Sequence, residues 1–209
     1  AGLLEMRRNF FHFDTGHYIE RVVHDSKNKK NKIIQRERIN FDTGKLCTPE
    51  WVLKITREES KRIADADWSL VFSGSPRTLF EAYGDSKNEG LLKTLSKKYG
   101  KENVLIVEIK IPENESLKRN SQRLICSVCG LPILAKYKKN KSCAFCEGKF
   151  YKRSLDTKEV IAVRLKEYTN RTYPILARAK KDGYKIVNID GRPAPYKVFQ
   201  KIVKAVGIS

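Results

Sequence analysis

Four cysteines carry the plainest chemistry in the sequence. Cys126, Cys129, Cys143 and Cys146 are spaced C-x2-C-x13-C-x2-C. Each C-x2-C pair can bring two sulfurs to one metal ion through a tight turn, and two pairs complete a tetrahedron. Gly130 follows the first pair and Gly148 closely follows the second, which suits such turns. A redox motif of the thioredoxin kind uses one pair, so two pairs at this spacing point to zinc. Four protein ligands leave no open position, and the expected site is therefore structural. In a segment with little core of its own, binding worth about 10–16 kcal/mol would hold the fold. Cys47 stands apart and reads as an ordinary buried thiol. An odd cysteine count without a secretion signal points to a reducing cytoplasm.

The second set of residues suited to chemistry is cationic. Arginine is always charged, planar, and able to grip anionic oxygens with two hydrogen bonds. Arg77 follows a short apolar run and the turn GSPRT, where a freely solvated side chain is not expected. His12, His17 and His24 come with no partner constellation and are expected to do no chemistry.

These residues need elements to position them. WSLVFS (68–73), VLIVEIKI (104–111) and YKIVNID (184–190) read as three buried strands, each stopped by Gly or Pro. Helices are expected over 16–24, 49–63, 86–98 and 195–206, with residues 3–8 as the tail of another. SKNKKNK reads as a charged loop, and a basic helix is expected over 115–123. Asp156 and Glu159 read as a capping pair for a helix through Tyr168; Pro174 interrupts, and a further helical stretch ends near Gly183. Strands alternating with helices imply a parallel sheet covered on both faces. No internal repeat is visible.

The chain has 209 residues, 40% apolar and 32% charged, enough for a core under a heavily charged surface. No apolar run is long enough to span a membrane. The formal net charge of +19 suits anionic partners such as nucleotides or RNA, and equally suits lysines on solvated faces.

HFDTGHYIERV, DTGKLCTPEWVLKI, FSGSPRTLFEA, the four-cysteine segment, RSLDTKEVIAVRLKEYTNRTYPIL and IDG occur in that order. Together they resemble an adenylate kinase of the bacterial type with a zinc-bearing lid, over nearly the whole chain. GSPRT after a strand, and Arg153 and Arg164 eleven apart, are the most specific pieces. The resemblance implies an α/β fold of the P-loop kinase type, with a parallel sheet lacking its first strand, helices on both faces, a small zinc-binding lid and a helical monophosphate-binding subdomain. It implies a kinase core over 1–118 and 154–209, the monophosphate-binding subdomain over 16–63 and the lid over 119–153.

The implied activity is transfer of the γ-phosphoryl of ATP to AMP, giving two ADP, in a cytoplasmic monomer with magnesium entering alongside ATP. Thr15, Arg21, Lys45, Cys47, Gly74, Arg77 and Glu81 match the AMP site. Arg119, Arg123 and Arg192 match the ATP site. Arg77, Arg123, Arg153 and Arg164 match the catalytic set, and Asp156 one of two adjacent lid acids, the other being Leu155.

The pattern breaks in four places. No G-x-x-x-x-G-K-[ST] occurs, so the chain is expected to begin just past the phosphate cradle and to be inactive alone. Ser73 stands where the family has the acid that anchors the magnesium water shell. Glu20 replaces an AMP-gripping Arg, with Arg21 adjacent. Glu81 replaces the Gln that reads adenine: either it turns to solvent or a nearby Lys and a neighbouring backbone group reads the base, or it faces the base and loosens the preference for AMP over GMP. The second reading is a degenerate, non-catalytic kinase fold acting as a basic RNA- or ribosome-associated protein.

Overall fold

A computed structural model describes residues 1–6, 10–133 and 140–207. Two compact units divide the chain: Ala1–Lys110 with Glu167–Ser209, and Ile111–Lys166.

The first unit opens with α1 (Gly2–Glu5), β1 (Phe10–Asp14) and α2 (Thr15–His24). It continues with α3 (Lys32–Asp42), α4 (Pro49–Asp65), β2 (Ser69–Ser73), α5 (Leu79–Tyr83), α6 (Leu91–Tyr99) and β3 (Leu105–Lys110). The second unit contains α7 (Glu113–Ser121), β4 (Leu124–Cys126), β5 (Pro132–Ile133) and β6 (Phe150–Tyr151). The helix α8 (Lys158–Glu167) leads back to the first unit. There a π-helical turn over Tyr168–Thr172 precedes α9 (Tyr173–Lys181), β7 (Lys185–Asp190) and α10 (Pro195–Val206).

The expected parallel pairing is present. β1 runs parallel to β2, with Asp14 opposite Ser73, and β3 runs parallel to β7. Among the described residues these are two separate pairs. β1 is a strand that the apolar pattern does not announce, since the His and Asp of FFHFD weaken the signal. The second unit holds a small antiparallel sheet in the order β5-β4-β6.

Three apolar clusters hold the first unit. Ile19, Val23, Cys47 and Val52 join α2 to α4, with Ile34, Phe41 and Trp51 packed on them. Ile19 and Val23 lie four apart, on one face of α2 with Thr15. Ala82, Leu92, Val104 and Ile175 form the second cluster, and Ile189, Val198 and Ile202 the third.

Several boundaries differ from expectation, each for a local reason. α3 escapes the periodicity because Ile33 and Ile39 face solvent and its apolar stripe is thin, yet Asn31 caps it through Ile33 N and Ile34 N. α6 begins at Leu91, after a turn in which Asp85 accepts from the amides of Lys87 and Asn88. Asp156 does not cap α8. Thr157 Oγ1 accepts from Val160 N instead, 3.3 Å away, and Asp156 is buried in an ion pair. Of the helix tail read over 3–8, residues 7 and 8 lie outside the described residues, and α1 covers Gly2–Glu5.

Candidate functional site

β1 and β2 end side by side, and the residues just past their carboxyl ends converge. Asp14 closes β1, and its Oδ1 accepts from His17 N at 3.0 Å, capping α2. That cap leaves the other amides of the first helical turn without intrahelical partners. Thr15, the first residue of α2, is buried, and among the described residues its Oγ1 has no hydrogen-bond partner.

β2 ends in the turn Gly74-Ser75-Pro76, where Gly74 takes a φ of +87° and the Ser75–Pro76 bond is cis. A Cβ on Gly74 would lie 3.3 Å from Arg77 Nη2, 3.6 Å from Gly16 N and 3.8 Å from Thr15 Cβ. The missing methyl thus marks a point on which a guanidinium, a helix-start amide and a buried threonine close in.

Arg77 is half-buried, and among the described residues no carboxylate lies within ion-pair distance of its guanidinium. Burial works against its charge, with Glu81 and then Asp14 supporting it from further off. A guanidinium in protein does not give up its proton. The arrangement is a cation, a helix amino terminus and an unpaired hydroxyl gathered beside one glycine, a set of groups suited to an anion such as phosphate.

The other residues matched to AMP fall differently. Cys47 is buried, its Sγ 3.6 Å from Glu37 O, and burial pushes its thiol up to about 12. Its loop is fixed by Glu37, wholly buried, whose carboxylate accepts from Thr48 N at 2.7 Å and Thr48 Oγ1 at 2.5 Å. Burial pushes the Glu37 carboxyl up, but the bonds from Thr48 and Arg36 outweigh it and hold the group below its usual range. Lys45 is exposed at the start of this loop.

Arg21 is exposed and, six residues on from Thr15, stands about 240° round α2, so the helix turns it off the Thr15 face. Glu81 does not face outward as a base reader would. It is buried, and its oxygens accept from Arg77 N at 2.8 Å and Thr78 Oγ1 at 3.0 Å, while Thr78 Oγ1 accepts from Glu81 N. Thr78 thus caps α5, and the Glu of the T-x-x-E pattern reaches back one residue further than in a standard capping box, to the amide of Arg77. Burial raises the Glu81 carboxyl, and the Arg77 amide and Thr78 partly offset that.

His12 contradicts the expectation that the histidines lack partners. Its Nε2 shares a 2.7 Å hydrogen bond with Ser73 Oγ, and its Nδ1 lies 3.9 Å from Glu5 Oε2. His24 likewise meets Asp42 at 3.0 Å. Ser73 therefore offers no carboxylate for a magnesium water shell, and its hydroxyl is shared with an imidazole; the residues here do not fit that anchor.

In the second unit, Arg123 grips Asp156 with two bonds, Nε to Oδ2 at 3.0 Å and Nη2 to Oδ1 at 2.6 Å, and the carboxylate is fully buried. Arg119 holds Glu115 at 2.6 Å. Arg153 and Arg164 are half-buried in the same unit. Arg192, in the first unit, folds back onto Asp190 with bonds of 2.9 and 3.0 Å, which hold that carboxyl down to about 2.

The four cysteines of the second unit come together, their sulfurs all within 4.8 Å of one another. Cys126 and Cys146 sulfurs are 3.4 Å apart, and those of Cys129 and Cys143 3.7 Å. A disulfide is about 2.05 Å, so these are separate thiols. Tetrahedral metal–sulfur bonds of about 2.3 Å put sulfurs about 3.8 Å apart, and the cluster has that size. Backbone amides of Val128 and Phe145 donate to Cys126 and Cys143 at 3.4 Å. Backbone hydrogen bonds lower the Cys126 and Cys143 thiols, while burial and the neighbouring thiols raise that of Cys129. Among the described residues, no helix is long and apolar enough to cross a membrane.

No protein-family model matches the chain. Individual relatives do. The adenylate kinase of Treponema denticola is 30% identical over 191 residues, covering 90% of this chain and 82% of the relative. That of Petrotoga mobilis is 30% identical over 183 residues, covering 86% and 78%. That of Caldicellulosiruptor saccharolyticus is 26% identical over 211 aligned positions, covering 100% and 92%.

Proposed function

Because the chain belongs to the adenylate kinase family, we propose that it holds AMP as phosphoryl acceptor at Thr15, Gly74 and Arg77. The observation that carries this is the convergence of Arg77 Nη2, Gly16 N and the unpaired Thr15 side chain on the space beside Gly74. Phosphoryl transfer asks little covalent chemistry of a protein; it asks for positioning and for neutralised phosphate charge. Arg77 supplies the charge, the start of α2 the amides and Thr15 a donor. The loop from Lys45 to Cys47, pinned by Glu37, lines the nucleoside side.

The same reading gives ATP to Arg119, Arg123, Arg153 and Arg164, with 119–153 as the lid and 16–63 as the acceptor subdomain. Arg192 belongs with them only if ATP draws it from Asp190. Magnesium would enter with ATP, partly neutralising its phosphates. The 209 residues contain no G-x-x-x-x-G-K-[ST], so a glycine-rich cradle for those phosphates is not among them. The four thiols would hold one structural zinc ion, and four separate sulfurs suit a reducing compartment such as the cytoplasm. The relatives give no support to the second reading, a non-catalytic RNA-associated protein.

Calorimetric titration with AMP tests the reading on the full chain. Arg77→Ala should weaken AMP binding about 10- to 150-fold, the range of a hydrogen bond to a charged group. The proposal falls if the parent chain ignores millimolar AMP, or if Arg77→Ala binds it as well as the parent does.

A further inference from the structure

We infer that Thr172 and Glu81 are positioning residues that clamp the backbone of Arg77 from both sides and so aim its guanidinium at the acceptor phosphate. The inference rests on the acceptor reading above and deepens it.

Arg77 sits in an irregular turn, between β2 and α5, where no ladder or helix fixes its peptide groups. Both are nonetheless held by side chains. Arg77 N donates to Glu81 Oε2 at 2.8 Å, and Arg77 O accepts from Thr172 Oγ1 at 2.9 Å. The two partners come from α5 and from a turn ninety-five residues further along the chain. Glu81 is itself locked: it is 2% exposed, and its second oxygen accepts from Thr78 Oγ1 at 3.0 Å. An amide has one acceptor oxygen and a carboxylate two, so Glu can serve Arg77 N and Thr78 at once through separate oxygens where Gln has only one to offer. This gives the glutamate at position 81 a role that needs no base contact.

Thr172 is delivered by the chain's one described π-helical turn. Its ring closes through Tyr173 N donating to Tyr168 O, five residues back. Pro174 explains the widening: proline has no amide hydrogen, and in an α-helix its ring would strike the carbonyl four residues earlier. Relief of that clash adds a residue to the turn, which rotates the helix beyond it by about 100° relative to an unbroken α-helix. The resulting register leaves the Thr172 hydroxyl on the Arg77 carbonyl. A proline and a wide turn thus set the backbone of the residue that meets the phosphate.

The test uses the full chain, AMP titration and the ¹⁵N relaxation of the Arg77 Nε–H group. Thr172→Val should weaken AMP binding about 2- to 12-fold, the range for a neutral hydrogen bond, and raise the Arg77 side-chain mobility of the ligand-free protein. Thr172→Ser should restore both. In an Arg77→Ala background, Thr172→Val should cost nothing further in AMP affinity, because the effect passes through Arg77. Unchanged Arg77 relaxation in Thr172→Val overturns the clamp, as does an equal affinity loss with and without Arg77. If the parent chain does not bind AMP yet Arg77 loosens in Thr172→Val and is rescued by Ser, the clamp stands and the acceptor reading falls. Should Thr172→Val fail to fold, Glu81→Gln serves in its place, with the same relaxation readout.

Discussion

The surroundings of Gly74 and the four-cysteine cluster are both small polar sites, but one is unfinished and the other complete. Around Gly74, among the described residues, a buried hydroxyl has no partner, a half-buried guanidinium has no carboxylate within reach and a helix-start amide nitrogen lies close by. In the cluster, four sulfurs surround one point at metal-binding distances, and backbone amides already support two of them. A buried polar atom without a partner costs about 1–3 kcal/mol, so a fold that keeps several together keeps them for something that arrives. A site with all its ligands in place works for the fold. On the function proposed above, ligand would come and go at the first place and stay at the second.

The comparison breaks most visibly at the cluster. Cys129→Ser should take zinc from about one ion per chain to near zero. It should also abolish hydrogen-exchange protection across β4, β5 and β6, because binding on the order of 10 kcal/mol is folding energy there. Zinc-free parent protein with full protection in the same strands would show that the cluster is not a metal-held fold.

At the unfinished site, Thr15→Val should act in the opposite sense on stability. Removing an unpaired buried hydroxyl should leave the thermal midpoint unchanged or raise it by about 2–4 °C, while AMP binding weakens about 10-fold. Lower stability together with unchanged AMP affinity would mean that Thr15 serves the fold.

The smallest effect concerns His12, which lies beside the unfinished site but has partners of its own. Burial holds its imidazole below the ordinary range, with Asp14 and Glu5 opposing. The unfolded chain takes the proton near pH 6.5 and the folded chain only at lower pH. Stability from this group is therefore full above about pH 6.5 and is lost as pH falls towards the folded value. Denaturant midpoints measured between about pH 7 and 5 should decline less steeply in His12→Gln; an identical slope would leave His12 outside the balance.

Much of this is legible in the residues. The cysteine spacing, the strands β2, β3 and β7, and the helices α4 and α10 come from local pattern, because ligand spacing and apolar periodicity are local properties. The features that escape depend on contacts across the chain. Glu81 can be given to a base because nothing in FSGSPRTLFEA says which way the carboxylate turns, although T-x-x-E hints that it turns back towards the start of its helix. Asp156 reads as a cap until its oxygens are seen on Arg123, thirty-three residues away. Pro174 announces an interruption, but a turn that widens and aims Thr172 at Arg77 requires knowing where Arg77 is. β1 and α3 escape for the reverse reason: FFHFD and KIIQRERINFD are real elements whose partly solvated faces dilute the periodicity.

Cys47 lends the molecule a slow chemical clock. Burial pushes its thiol up to about 12, which keeps the reactive thiolate scarce, and it is packed among Ile19, Val23 and Val52. An alkylating reagent therefore waits for α2, α3 and α4 to part. The rate at which that sulfur is modified counts those openings, and whatever binds beside Arg77 and stills the three helices lengthens the interval between them.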